Sequence, residues 1–281
     1  ISGDWASVSE MYTLKHVRSY YNDTTRTLHV QRGLSEAQMM FLLCRELGFQ
    51  YLNITDRTRV TKLMRIASFE QLLNNYKASH FASALLMDEH QLASDIREIA
   101  RESTWKPSLI KNLMQRYQVS GETLMQRLTN ILPHHLGIND IFFLRLTSSE
   151  DLLSFKMTET LQLSQLHSPY NNELNEHYCH RWVAISAIKQ FKEKYKKKRK
   201  GKVFVDAQIS QYWNTDKAYF CITIAKPAFD DPEVIVSVTI GLLISVEVKS
   251  IINFVTDPDV RTRVVHTTCE RCGILDCESR V

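Results

Sequence analysis

The pattern of apolar and polar positions divides the chain into a helical first half and a strand-rich second half. Ser35 precedes an apolar-rich stretch that predicts a helix reaching about Leu47. Helical spacing recurs through Ser68–Met87 and Leu92–Ala100. Before these helices, Thr24–Gln31 alternates and is rich in β-branched residues, which predicts a strand. The first half is therefore predicted to be mainly helical.

Residues Ser108–Leu132 predict two further helices joined at Val119–Gly121. One interpretation is a DNA-binding helix-turn-helix, and the other is a plain helical hairpin that closes a domain. The hairpin is favoured, because the second helix offers only Gln126 and Arg127 as obvious contacts to bases or phosphates. We expect Pro133–His135 to end the helical half.

The second half contains one predicted helix, Tyr178–Lys198, among several strand-like segments. This order predicts an α+β fold, in which a mainly helical domain at 1–135 precedes an antiparallel-sheet, sensor-like domain at 136–281. The strand-like segments are Ile141–Leu146, Leu152–Met157, Lys202–Ile209, Ala218–Ala225 and Val234–Val248.

The composition is that of an ordinary globular protein. The 281 residues are 44% hydrophobic and 23% charged, which excludes a disordered tail, a collagen-like fibre and a small disulfide scaffold. No signal segment opens the chain, and no apolar stretch approaches the roughly 20 residues that span a bilayer. We therefore expect a cytoplasmic protein with reduced cysteines and no membrane partner. Because no initiator Met is present, we also expect a piece of a longer protein.

The positive charge is concentrated in one run. Lys192–Lys202 holds eight basic residues and one acidic residue, so its net charge of +7 leaves −3 for the rest of a chain whose total is +4. One interpretation is that Lys196–Lys200 binds the phosphates of CoA or DNA. The other is a solvated helix end that leads into the turn at Gly201.

Three cysteines near the end of the chain have the spacing of metal ligands. Cys269, Cys272 and Cys277 form C-x2-C-x4-C, and a C-x2-C loop lets two sulfurs converge on one metal. A fourth ligand is needed, and both His266 and Cys179 are candidates. Zinc and a [4Fe-4S] cluster both accept such a set, and the spacing alone leaves the two open.

The other charged and sulfur-bearing residues near these motifs have simpler interpretations. Three arginines close to the cysteines are expected to offset thiolate charge. Cys44 and Cys221 lie inside a helix pattern and a strand pattern, which predicts small buried apolar residues. The three arginines are Arg261, Arg263 and Arg271.

The first predicted helix contains a near miss to the zinc-protease motif H-E-x-x-H. Arg45 and Phe49 stand at the two histidine positions, and Glu46 stands at the position of the general base. Asn75 stands where the third ligand would come from the next helix. A catalytic zinc needs three protein ligands, and none is retained, so we expect no enzymatic activity.

On these residues, the stretch from about Thr27 to Leu132 resembles the ImmA/IrrE family of zincin-like domains. The segment from about Cys179 to Arg280 resembles the C-terminal domain of short-chain fatty-acyl transcriptional regulators. The second resemblance rests on Cys179-x-x-Trp182, on Ser237–Leu242 and on the final cysteine motif.

The resemblance implies the effector-sensing region of a bacterial regulator of propionate and acetate metabolism genes. It implies a [4Fe-4S] cluster held by Cys179, Cys269, Cys272 and Cys277, with Zn²⁺ as the alternative. It further implies that acyl-CoA or CoA binds, and that promoter DNA is read by an N-terminal helix-turn-helix absent from this chain, as part of a homo-oligomer.

The vacated metal cleft is one predicted location for the acyl-CoA. Arg45, Phe49 and Asn75 would line this pocket, although the same residues could simply fill the old cavity. Two alternative functions remain at this stage, namely a zinc-dependent metallopeptidase and a zinc-stabilised interaction module without a small-molecule ligand.

Overall fold

A computed structural model of the protein describes residues 17–59, 68–162, 176–196 and 199–280 and confirms the α+β fold. Its strands are β1 Ser19–Asn22, β2 Thr27–Val30, β3 Ile141–Ser148, β4 Phe155–Gln162, β5 Phe204–Tyr212, β6 Ala218–Pro227, β7 Ile235–Leu243 and β8 Thr262–Val265. Its helices are α1 Glu36–Tyr51, α2 Phe69–Leu86, α3 Glu89–Ala100, α4 Pro107–Arg116, α5 Gly121–Leu136, α6 Val183–Lys194 and α7 Val246–Ile251.

The described residues form two compact units. One lies within Ile1–Glu89 and Met114–Arg127, and the other within His90–Leu113 and Leu128–Val281. The first unit contains the antiparallel β1–β2 hairpin and the packed pair α1 and α2. The second contains the large sheet and α6. A domain boundary at residue 135 stays a prediction.

Helix α1 begins at the predicted residue but continues past the predicted end. The Ser35 hydroxyl accepts a hydrogen bond from the Gln38 N–H, and the Gln38 side chain accepts one from the Ser35 N–H, which forms a capping box. Gly48 does not stop the helix. A Cβ atom there would lie 3.2 Å from the Ala78 carbonyl oxygen of α2, so this glycine allows the two helices to approach closely.

Helices α4 and α5 are joined at the predicted position. The Ser120 hydroxyl accepts a hydrogen bond from the Thr123 N–H at 3.2 Å, which caps α5. The predicted end is wrong, because α5 includes Pro133 and ends only at Leu136. Gly137, with a φ of +71°, then closes the helix in the left-handed conformation that favours glycine.

The second unit is built on a six-stranded sheet of order β4-β3-β7-β6-β5-β8. All neighbours are antiparallel except β5 and β8, so the sheet is mixed, and β8 was not predicted. The central strands β6 and β7 are buried along almost their whole length, which matches their continuous apolar runs.

Both faces of the sheet are covered. Helix α6 packs on one face, where Phe191 is fully buried in the core. On the other face, Trp105 contacts Phe220 and Phe254, with ring centroids 5.8 and 5.4 Å away. Strand β7 ends at Leu243, before the predicted end at Val248, because the Ser245 hydroxyl caps α7.

Within the described ranges, no helix is both long enough and apolar enough to cross a membrane.

Candidate functional site

Cys179 lies in a turn before α6, and not at the start of a long helix as predicted. The helix begins at Val183, and the Trp182 N–H donates to the Cys179 carbonyl at 3.0 Å to close the turn. The Trp182 indole N–H donates to the carbonyl of His266 at 2.8 Å. The turn that carries Cys179 is thereby connected to the start of the cysteine-rich tail.

A short backbone bridge joins this turn to the tail. Tyr178 and Thr268 form an antiparallel β-bridge. The Cys179 N–H donates to Thr267 at 3.2 Å, and the Cys269 N–H donates to His177 at 2.9 Å. These bonds place Cys179 beside Cys269, although 90 residues of sequence separate them.

Charged side chains hold the same two segments together. The Glu270 carboxylate accepts the His177 N–H at 2.9 Å and lies 2.7 Å from Nδ1 of the same residue. Arg271 forms an ion pair with Glu176 at 2.7 Å. The tail is therefore fixed by the side chains of the two residues that follow Cys269.

The rest of the tail folds back through tight turns. The Cys272 N–H donates to the Cys269 carbonyl at 3.3 Å, which closes the C-x2-C loop, and the Arg280 N–H donates to Cys277 at 3.0 Å. The Arg280 guanidinium bonds the Cys272 carbonyl at 3.3 Å. Gly273 lies against Trp213, because a Cβ atom there would be 2.3 Å from the indole ring.

All four predicted cysteine ligands line one cavity, and so does His266. The structure thus brings the distant Cys179 to the C-x2-C-x4-C motif and keeps both candidates for the fourth position beside it. Burial raises the pKa of the Cys179 thiol, an effect opposed by hydrogen bonds from the backbone and reinforced by Cys269 and Cys272. The His266 N–H approaches the Cys179 sulfur at 3.5 Å.

The donor set suits a thiolate-bound metal centre, because four cysteines are the usual ligands of both zinc and iron–sulfur clusters. In the part of the chain that the structure describes, no three His, Cys, Asp or Glu side chains converge as a single ion requires. A single ion and a four-iron cluster both stay predictions for this cavity.

The arginines near the sulfurs differ from those predicted. Arg261 pairs with Asp206, and Arg271 pairs with Glu176, so both charges are already engaged. The arginines that line the cavity are Arg181 and Arg280. The sequence did not single them out, since Arg181 is distant in sequence and Arg280 reaches the cavity only through the turn at the end of the tail.

His180 also lines the cavity and was not predicted. Burial, with the positive charge of Lys189, lowers the pKa of His180 to about 4. Its buried Nε2 has no hydrogen-bond partner among the described residues. This histidine is therefore neutral at physiological pH.

An arginine that the sequence did not single out pairs with the glutamate of the degenerate protease motif. Arg57 is buried and forms two hydrogen bonds to the Glu46 carboxylate, at 2.7 and 3.0 Å. Its guanidinium lies 4.4 Å from the Phe49 ring and 4.0 Å from that of Tyr21. Glu46, at the position of the general base, is thus held in an ion pair.

Of the three residues of the predicted acyl-CoA pocket, Arg45 and Phe49 lie beside each other. Desolvation lowers the pKa of Arg45 to about 10, and its guanidinium lies 5.8 Å from the Phe49 ring. Asn75 instead accepts a hydrogen bond from the Thr58 hydroxyl at 2.9 Å and donates to the Gln71 carbonyl. Acyl-CoA binding by these residues stays a prediction.

The two remaining cysteines are buried, as predicted. Cys44 lies in α1 and Cys221 in β6, and neither lines the cavity. Burial raises the pKa of Cys221 to about 12, which keeps the thiol protonated and unreactive.

Comparison with known proteins agrees with part of this picture. Residues 8–129 match a family model described as an IrrE N-terminal-like domain. A solved structure described as a Mycobacterium tuberculosis transcriptional regulator is similar in fold, with a TM-score of 0.61 at 18% identity over 94% of this chain and 74% of that chain. No curated protein sequence matches. The resemblance of the C-terminal segment to fatty-acyl regulators stays a prediction.

Proposed function

We propose that the chain is the effector-sensing region of a transcriptional regulator whose four cysteines hold a [4Fe-4S] cluster. The observation that carries the proposal is the single cavity lined by Cys179, Cys269, Cys272 and Cys277. The IrrE-like match and the similar fold of a mycobacterial transcriptional regulator support a regulatory role. Promoter DNA would be read by a helix-turn-helix outside this chain, in a homo-oligomer.

The placement of the ligands suggests how such a centre would act. Cys179 belongs to the body of the second unit, whereas the other three cysteines belong to the tail. A metal shared between them would turn its binding free energy into folding free energy for the tail. When bound, an iron–sulfur cluster supplies sensitivity to redox state and iron supply, and the bridge at Tyr178–Thr268 would pass that state to α6.

Purification without oxygen tests this proposal. We expect iron and acid-labile sulfide in the purified protein, together with broad visible absorbance. Zinc is colourless, so a colourless protein that contains one zinc per chain would contradict the iron–sulfur proposal. It would favour a zinc-stabilised interaction module, for which His266 at the same cavity supplies an alternative fourth ligand.

We further propose short acyl-CoA or CoA as the effector, on the predicted resemblance of the C-terminal segment to fatty-acyl regulators. The IrrE-like match of residues 8–129 and the fold shared with a transcriptional regulator support a regulatory setting for it. The effector would couple the chain to propionate and acetate metabolism. Binding should stabilise the folded protein by about 2.7 kcal/mol at roughly 100 times Kd. Thermal melting across a millimolar titration of acetyl-, propionyl- and free CoA measures this, and an unchanged melting temperature would contradict it.

The chain is proposed not to be an enzyme. Arg45, Phe49 and Asn75 occupy the three positions of the zincin ligands, and none supplies the imidazole or carboxylate that binds catalytic zinc. The Glu46 carboxylate is engaged by Arg57. A carboxylate in such a pair has no metal-bound water to deprotonate.

A further inference from the structure

The basic run forms an exposed surface at the end of α6. Four of its lysines are solvent-exposed, on the last turn of the helix and in the loop before β5. We name these four residues the lysine surface, and they are Lys194, Lys196, Lys200 and Lys202. Lys197 and Lys198 lie outside the described residues and are not part of the argument.

Two other cations of the run, one in α6 and one in the loop after it, are bound to other parts of the domain. Arg199 forms an ion pair with Glu233, and its side chain is only 11% exposed. The Lys192 ammonium donates to the backbone carbonyl of Glu150. The Glu233 carboxylate is therefore already paired. In the described part of the chain, no residue of the lysine surface forms an ion pair.

The lysine surface is supported by aromatic rings. The Lys194 ammonium lies 5.7 Å from the ring of Phe204 and 5.8 Å from that of Tyr195. Both rings are half-buried. Gly201, with a φ of +73°, makes the turn between Lys200 and Lys202. The exposed lysines thus lie next to Arg199, which is paired with the rest of the domain. Glu193 is the only acidic residue within Lys192–Lys202.

We propose that the lysine surface binds the phosphate backbone of duplex DNA without reading its sequence. Lysine is a point charge that suits phosphate, whereas bidentate reading of guanine is chiefly the work of arginine. The only arginine of the run, Arg199, is paired and mostly buried. The electrostatic attraction for DNA phosphates is confined to the basic run, because the rest of the chain carries a net charge of −3.

Two other anionic partners fit less well. An anionic membrane surface is usually bound through exposed apolar side chains beside the cations, and no large apolar residue is exposed in the described part of the run. Free CoA would need an enclosing site, and these lysines lie on an open turn. DNA binding by the lysine surface goes beyond the proposed sensing function and does not require the metal centre. Only the choice of DNA over other polyanions rests on the proposed regulatory role.

The experiment measures binding of the 281-residue chain to a fluorescein-labelled 30-bp duplex of arbitrary sequence, by anisotropy between 50 and 200 mM NaCl. Each contacted phosphate contributes about 0.9 to the slope of log affinity against log salt. Four contacts would weaken binding roughly 100-fold across this range. Changing Lys194, Lys196, Lys200 and Lys202 together to Gln should remove most of this salt dependence and weaken binding at 50 mM roughly 10-fold or more.

A second quadruple variant provides the matched control. It changes four exposed lysines elsewhere, with the same loss of charge, and should bind DNA as the unchanged chain does. Equal loss in both variants, no DNA binding by the unchanged chain, or binding only to phosphatidylserine vesicles or to free CoA would each overturn the proposal. Cys269→Ser should keep the DNA affinity of the unchanged chain. A failure of the metal-centre proposal can therefore be distinguished from a failure of the DNA-binding proposal. The control positions are Lys77, Lys106, Lys111 and Lys249.

Discussion

The Cys179→Ser variant is expected to lose its iron when purified without oxygen, whereas His266→Ala keeps it. Both residues line the cavity, but the hydrogen bond from the Cys179 N–H to the Thr267 carbonyl holds the Cys179 backbone directly beside the cysteine motif. A serine hydroxyl is a much poorer ligand than thiolate for the soft sites that iron–sulfur clusters occupy. Iron content, acid-labile sulfide and the visible spectrum measure the outcome.

Cys221→Ser is the matched control for this substitution. Cys221 is a buried cysteine of the same unit that does not line the cavity, so its replacement should leave the iron content unchanged. If Cys179→Ser keeps full iron and His266→Ala loses it, the assignment is wrong and the compact site of one histidine and three cysteines is correct. If neither substitution matters, the fourth ligand is a different residue.

The elements of the fold could be predicted where one local pattern determines them. The capping serines at residues 35, 68 and 120 each begin a helix at the expected position. The ends of α1 and α5 were missed, because Gly48 is used for helix packing and Pro133 falls within a last turn that Gly137 closes. Strand β8 is four residues long and pairs in parallel with β5, and so short a pattern does not identify a strand.

The candidate site shows the same limit. The spacing of Cys269, Cys272 and Cys277 identifies a cluster, because all three lie within nine residues. The proximity of Cys179 follows from a β-bridge between segments about 90 residues apart, which no local pattern reveals. Arg57 was missed for a related reason. It lies in the polar stretch after α1, and only the fold brings its guanidinium to Glu46.

The Arg57→Met variant is expected to lose about 3–5 kcal/mol of unfolding free energy. The side chains of Arg57 and Glu46 are only 5% and 16% exposed, so removal of the guanidinium leaves a largely desolvated carboxylate without its ion-pair partner. The Gln50 amide still donates to that carboxylate at 2.8 Å, but it carries no charge. The contacts of Arg57 with the Tyr21 and Phe49 rings are also lost. Urea denaturation near neutral pH, followed by circular dichroism, measures the change.

Two further variants separate the effect of the unpaired Glu46 charge from the effect of the lost Arg57 packing. Arg57→Met combined with Glu46→Gln should recover part of the loss, because the amide carries no charge into the desolvated site. Arg59→Met is the matched surface control. Arg59 pairs with Asp23 at 2.5 Å, but both side chains are about half exposed or more, so its loss should cost less than about 1 kcal/mol. Equal effects of Arg57→Met and Arg59→Met would show that the buried ion pair does not stabilise this unit.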